Sequence, residues 1–229
     1  SSDAGEDLYI NDRLGDDLEP TIEEPITTFV DFSVYENDLV SLTSKGREFY
    51  GEQISFGTTE DFDFYFPNRN ATFPINIRVV SAAKVSNYSS VLSVNVNNIL
   101  VGTRAVYPVS SNAFAKEIDA TFEKTIASND EITVGLKNLS STAQLWLNYI
   151  EVSATRNLIM DGSQMAFSCP QSVANEEVCR FVLDEADENI QVWNITDPNQ
   201  TILLPTSFDE NKSQLTFVDE VSELQQYIA

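Results

Sequence analysis

Two cysteines, scattered carboxylates and a complete absence of histidine set what chemistry these 229 residues can carry. Cys169 and Cys179 flank the stretch PQSVANEEV, one ending an apolar run and the other starting the next. As opposed ends of a hairpin they can form a disulfide, closing a loop of about ten residues for roughly 2–3 kcal/mol. Such a bridge implies an oxidising compartment; the other reading is two half-buried thiols. Neither is a candidate nucleophile, because the chain holds no His to activate a thiol. The same zero removes Ser-His-Asp triads and His-containing zinc sites.

Carboxylates remain. LDEADEN supplies Asp184, Glu185, Asp187 and Glu188, and Ca²⁺ takes roughly six to eight oxygens. The spacing fits no EF-hand loop, however, and an acid-rich hairpin tip is ordinarily just solvated. Asp61 and Asp63 fall on one strand face. A glycosidase pair needs carboxyls roughly 5–9 Å apart in a cleft, and alternation alone gives only a shared solvent face. No catalytic residue, metal ligand or cofactor is assigned, with structural calcium the one alternative left open.

The elements that hold these residues read as strands. In EDFDFYFP, Phe62, Phe64 and Phe66 share one side while Asp61, Asp63 and Tyr65 share the other, the period of a half-buried strand. Ile75, Ile77 and Val79 alternate likewise, as do Leu92, Val94 and Val96. Asn97 and Asn98 follow as a turn, since Asn tolerates positive φ. NAFAKEIDATFEK admits a helix, but the alternation of Ile118, Ala120 and Phe122 favours a strand. In LWLNYIEVSA, Trp146, Ile150 and Val152 fall on one face and predict a core Trp146. Trp193, beside a Thr-Asp-Pro turn, reads as structural, with a sugar-stacking role the competing possibility. Six Asn-X-Ser/Thr sequons, at Asn70, Asn87, Asn138, Asn194, Asn199 and Asn211, carry little weight in so Asn-rich a chain.

The expected fold is therefore all-β: an acidic arm over 1–27, an antiparallel jelly-roll-like sandwich over 28–155, and a second, smaller β unit over 156–229. The sequence ATRN marks the boundary between the last two. Thirty-six acidic against 13 basic residues leave a formal charge of −23. That balance argues against nucleic acid, whose affinity rests on Lys and Arg releasing counterions, and against anionic lipid. No apolar run approaches bilayer length, so no membrane insertion is expected. The chain reads as part of a longer protein whose targeting segment is removed.

Against this acidity the stretch KGREFYGE stands out, with Lys45 and Arg47 beside Phe49 and Tyr50 and bracketed by Gly46 and Gly51. YENDLVSLTSKGREFYGEQISF, which contains it, resembles a segment upstream of the catalytic domain in PorU-type sortases, gingipain-like cysteine peptidases of type IX secretion. Their pattern has Ser where Lys45 stands; Phe49 and Tyr50 fill its aromatic pair. NDRL near the start, LNYIEVSATR, VWNITDP and the final QQYIA extend the resemblance in order over most of the chain. It implies a surface-exposed enzyme of a Gram-negative outer membrane. That enzyme removes C-terminal sorting signals from secreted cargo and attaches the cargo to the cell surface. Its Cys and His lie in a domain downstream, so nothing catalytic transfers to these residues. The implied partners are that peptidase domain and an outer-membrane barrel. Gly46, Arg47, Phe49, Tyr50 and Gly51 then read as a structural turn, in which glycines allow bends other residues resist and Arg47 pairs or stacks. The alternative function is a carbohydrate-binding jelly roll or an adhesin-like surface scaffold.

Overall fold

The computed structural model describes residues 11–12, 18–21, 23–43, 48–85, 90–108, 113–127, 130–170, 173 and 177–229. It divides into two compact units, one formed by 32–155 and the other by 1–31 together with 156–229. The divisions fall at Asp31/Phe32 and Thr155/Arg156, where the sequence suggested breaks at 27/28 and 155/156.

The larger unit is a two-sheet sandwich. Its strands are β2 (Thr28–Glu36), β3 (Gln53–Ile54), β4 (Thr59–Tyr65), β5 (Ile75–Val85), β6 (Ser90–Val96), β7 (Ile99–Val106), β8 (Lys116–Lys124), β9 (Glu131–Asn138) and β10 (Ala143–Asn157). One sheet runs β2-β10-β5-β8, with β3 also on β10, and the other runs β4-β9-β6-β7. Setting aside two-residue β3, successive strands change sheet at every step except the β6–β7 hairpin, the order of a jelly roll. The expected alternations fill the space between: Phe62, Phe64 and Phe66 from β4 and its end, Ile75, Ile77 and Val79 from β5, Leu92, Val94 and Val96 from β6 are all buried. Ile118 and Ala120 are buried too, on the strand β8 that the alternation favoured over a helix. Asn97 and Asn98 turn the β6–β7 hairpin at φ 48° and 66°, the conformation of a two-residue hairpin turn.

One prediction fails. Ile150 and Val152 are buried, but Trp146 is only half-buried, on the opposite face of β10. The pairing of β10 with β5 shifts register between Leu147 and Tyr149, and one extra residue in a strand reverses which parity faces inward.

The smaller unit holds two sheets. A five-stranded sheet is ordered β1 (Asn11–Asp12), β14 (Ile202–Leu204), β13 (Val192–Asn194), β17 (Gln226–Ile228) and β11 (Ala166–Ser168); a three-stranded one runs β12 (Glu177–Leu183), β16 (Gln214–Val221) and β15 (Thr206–Asp209). Described residues of the N-terminal segment join this unit. Ile26 forms a parallel bridge with Phe181, its N–H donating to the Arg180 carbonyl at 2.8 Å and its carbonyl accepting from Val182 N–H at 3.0 Å. The core is aromatic: Phe181 and Phe217 stack at 4.6 Å with planes 2° apart, and Tyr227 lies 5.2 and 5.3 Å from them.

Candidate functional site

The described half of the KGREFYGE stretch is held by backbone on two sides. Tyr50 N–H donates to the Val40 carbonyl at 2.8 Å, and the Tyr50 carbonyl accepts from Leu39 and Val40 N–H at 2.9 and 2.8 Å. One residue on, Gly51 N–H donates to the Leu147 carbonyl at 2.7 Å, and Leu147 N–H returns a bond to the Glu52 carbonyl at 2.9 Å. The strip thus docks on β10 at its irregularity. Gly51 is required there, because a Cβ would sit 2.8 Å from the Asn37 carbonyl oxygen. Tyr50 is buried while Phe49 is 49% exposed; Lys45, Gly46 and Arg47 lie outside the described residues.

Glu52 ties this strip to β2. Tyr35 Oη donates to its Oε1 at 2.7 Å and Asn37 Nδ2 to the same oxygen at 3.0 Å. Partial burial works against the charge, but the two hydrogen bonds outweigh it and hold the Glu52 carboxyl below its usual range. Tyr50 Oη donates to Glu48 Oε2 at 3.0 Å. Its phenol is pushed up to about 12, first by burial and then by the Glu48 hydrogen bond. Alongside lies a groove of about 400 Å³ lined by Leu42, Thr43, Glu48, Tyr50 and 113–115. Phe114 forms one wall, with Lys84 Nζ 4.5 Å above its ring and Trp146 at 6.2 Å. The arrangement offers hydrogen-bond acceptors and an aromatic surface.

The other candidate residues are dispersed. Cys169 and Cys179 are both buried in the core of the smaller unit. Burial, and secondarily Cys179 nearby, push the Cys169 thiol up to about 12, far from the low-pKa setting of a reactive cysteine. Asp184 Oδ1 accepts from Gln214 Nε2 at 2.7 Å and Asp187 Oδ1 from Asn189 N–H at 2.7 Å, while Glu185 and Glu188 are exposed. Among the described residues no three metal-ligating side chains converge. Asp61 and Asp63 lie exposed on the outer face of the sandwich, Asp63 accepting from Thr133 Oγ1 at 2.7 Å. Three sequon asparagines use their amides: Asn138 Nδ2 donates to the Ala143 carbonyl at 2.9 Å, Asn194 Nδ2 to Asp219 Oδ2 at 2.9 Å and Gln225 Oε1 at 2.8 Å, and Asn70 Oδ1 accepts from Thr72 N–H at 3.2 Å. Asn87 lies outside the described residues.

Sequence reading missed the network around Asp219. This carboxylate is 2% exposed. It accepts from Asn194, from Tyr227 Oη at 3.2 Å, and from Glu220 N–H at 3.0 Å. The signal was present in β16, where Leu215, Phe217, Asp219 and Val221 share the inward parity: an acid in an apolar phase needs internal donors.

The class of fold is all-β: a jelly-roll-like sandwich and a smaller β unit. The particular fold is that of PorU. The crystal structure of dimeric latent PorU from Porphyromonas gingivalis superposes with a TM-score of 0.82 over 97% of this chain at 21% identity. The chain spans only 22% of that protein's length. Two carbohydrate-binding modules overlap less. The CBM36-1 domain of a xylanase from the hindgut metagenome of Trinervitermes trinervoides has a TM-score of 0.37, 10% identity and 53% of this chain against 96% of its own. A CBM36 solved with calcium and xylotriose has 0.36, 15%, 56% and 99%. No family profile and no curated sequence matches the chain.

Proposed function

We propose that this chain is the non-catalytic β region of a gingipain-like cysteine peptidase of the PorU sortase type. Its role is to position a peptidase domain elsewhere in the parent protein, which removes C-terminal sorting signals and attaches cargo to the cell surface. The observation that carries the reading is the PorU fold over 97% of the chain, joined to a sequence without His. Both units belong to that fold, and neither presents a reactive centre among the described residues. A location at the outer membrane of a Gram-negative bacterium, contact with a barrel partner, and a Cys169–Cys179 bridge formed after export follow from the same reading.

The test uses the full-length parent. Deleting 32–155 should abolish cargo processing in cells, while the peptidase domain still reacts with an active-site thiol probe. The isolated 229 residues should cleave no cargo peptide. Normal processing by the deletion, or a parent sequence with no His–Cys domain, would overturn the proposal.

A further inference from the structure

A second groove, of about 510 Å³, lies in the smaller unit, and its floor is the outer face of the five-stranded sheet. On β13, Val192 and Asn194 point into the core, so Trp193 between them points out. Pairing places Leu203 of β14 opposite Trp193 on one side and Ile228 of β17 opposite it on the other. All three are half-buried, and of them Trp193 and Ile228 line the groove, an indole beside an aliphatic side chain. The walls are of a different kind. Gln164 follows the turn at Gly162, whose φ is +76°, and Asp187, Asn189 and Gln191 come from the loop between β12 and β13. These four side chains are exposed. Asn189 N–H donates to Asp187 Oδ1 at 2.7 Å. The three amide side chains have no hydrogen-bond partner among the described residues.

An indole floor beneath planar amides and carboxylates matches one ligand chemistry closely. The C–H face of a sugar ring covers an aromatic surface. Amide and carboxylate groups give paired donors and acceptors to neighbouring hydroxyls. The volume falls within the roughly 300–1,000 Å³ of small-ligand sites. Charge narrows the class. Glu185 and Asp187 line the groove, and among the described residues no Lys or Arg does, which disfavours phosphorylated, sulfated or uronic ligands. We infer that this groove binds a neutral oligosaccharide, with Trp193 as the stacking platform and Gln164, Asn189 and Gln191 as the hydroxyl-binding groups. The inference stands apart from the sorting role: either can hold without the other.

The probes are maltotriose, cellotriose and triacetylchitotriose, with trigalacturonate as the anionic control. Calorimetric titration of the unmodified chain should give saturable binding of at least one neutral trisaccharide, with Kd of about 0.1–10 mM, and none of the control. In a Trp146→Phe background Trp193 is the sole indole, and its fluorescence should change over the same range. Gln164→Ala and Asn189→Ala, both at exposed positions, should weaken binding several-fold without altering the thermal midpoint. Trp193→Ala should weaken it about ten-fold or more, a loss of 1.4 kcal/mol or more. Heat in titration without an indole response would place the sugar elsewhere and overturn the inference. So would silence towards all three probes, equal binding of trigalacturonate, or loss of binding in the longer parent protein.

Discussion

Glu52 is the residue on which the KGREFYGE strip turns, and its energetics have a definite sign. Its carboxyl is held below the usual 4.5 because Tyr35 and Asn37 donate to it against the cost of partial burial. The folded state therefore binds the proton less readily than the unfolded chain. Its stabilisation is complete above about pH 4.5 and is lost as pH falls through the lower folded value. Glu52→Gln keeps the shape and removes the charge assistance. In this half-exposed setting it should lower unfolding free energy by roughly 1 kcal/mol at pH 7. Urea titrations at pH 7 and pH 3.5 check this: the gap between variant and parent should narrow at the lower pH, and an unchanged gap would refute it. Gly51→Ala should cost more, about 1–3 kcal/mol, since the Asn37 carbonyl leaves no room for a methyl. The sequence marks this stretch out, but Gly51 serves a close approach to the Asn37 carbonyl rather than an unusual φ, and Gly46 lies outside the described residues. The role of Glu52 was not legible there, because its donors lie 17 and 15 residues earlier in the chain and no local pattern joins them.

At the scale of elements, alternation was a sound guide wherever a strand kept a single register. Phe62, Phe64 and Phe66 went inward as a set, as did Leu92, Val94 and Val96. It failed at Trp146 because β10 changes parity between Leu147 and Tyr149, and composition gives no sign of where a strand inserts a residue. The β6–β7 turn shows how one residue type does two jobs. Asn97 and Asn98 both take positive φ, yet only the side chain of Asn97 is used, its Oδ1 accepting from Thr133 N–H at 2.8 Å. Asn97→Gly should therefore cost about 1 kcal/mol through the lost bond to β9. Asn98→Gly should be neutral or gain about 0.5 kcal/mol by easing the left-handed backbone. Thermal melts of the two variants decide it, and equal effects would mean that backbone conformation alone governs the turn.

Across the whole molecule, net charge outweighs any single electrostatic contact. With 36 acidic and 13 basic residues the net charge is −23 at pH 7, and a compact state concentrates that repulsion. Among the described residues opposite-sign contacts are few, the most sheltered being Arg156, which meets Asp31 at 2.8 Å and Asp161 at 3.3 Å. Arg78 meets Asp119 at 2.8 Å, but the two side chains are 42% and 43% exposed, and such pairs contribute about 0–1 kcal/mol at most. Salt screens both effects, with a Debye length of about 10 Å at 0.1 M and 3 Å at 1 M. Repulsion is the larger, so added NaCl at pH 7 should raise the melting temperature by a few degrees, about 2–4 °C for each kcal/mol relieved. With no His in the chain, this response should stay flat between about pH 6 and 8, where only imidazoles ordinarily titrate. Near the isoelectric point of about 4.1 the net charge disappears, and with it the benefit of salt; only the screening of local pairs remains, so the salt response should vanish or reverse. Scanning calorimetry at pH 7 and pH 4.3, each across an NaCl series, separates overall repulsion from local pairing. A midpoint that falls with salt at pH 7 would show that specific ion pairs, not overall repulsion, set the electrostatics of this chain.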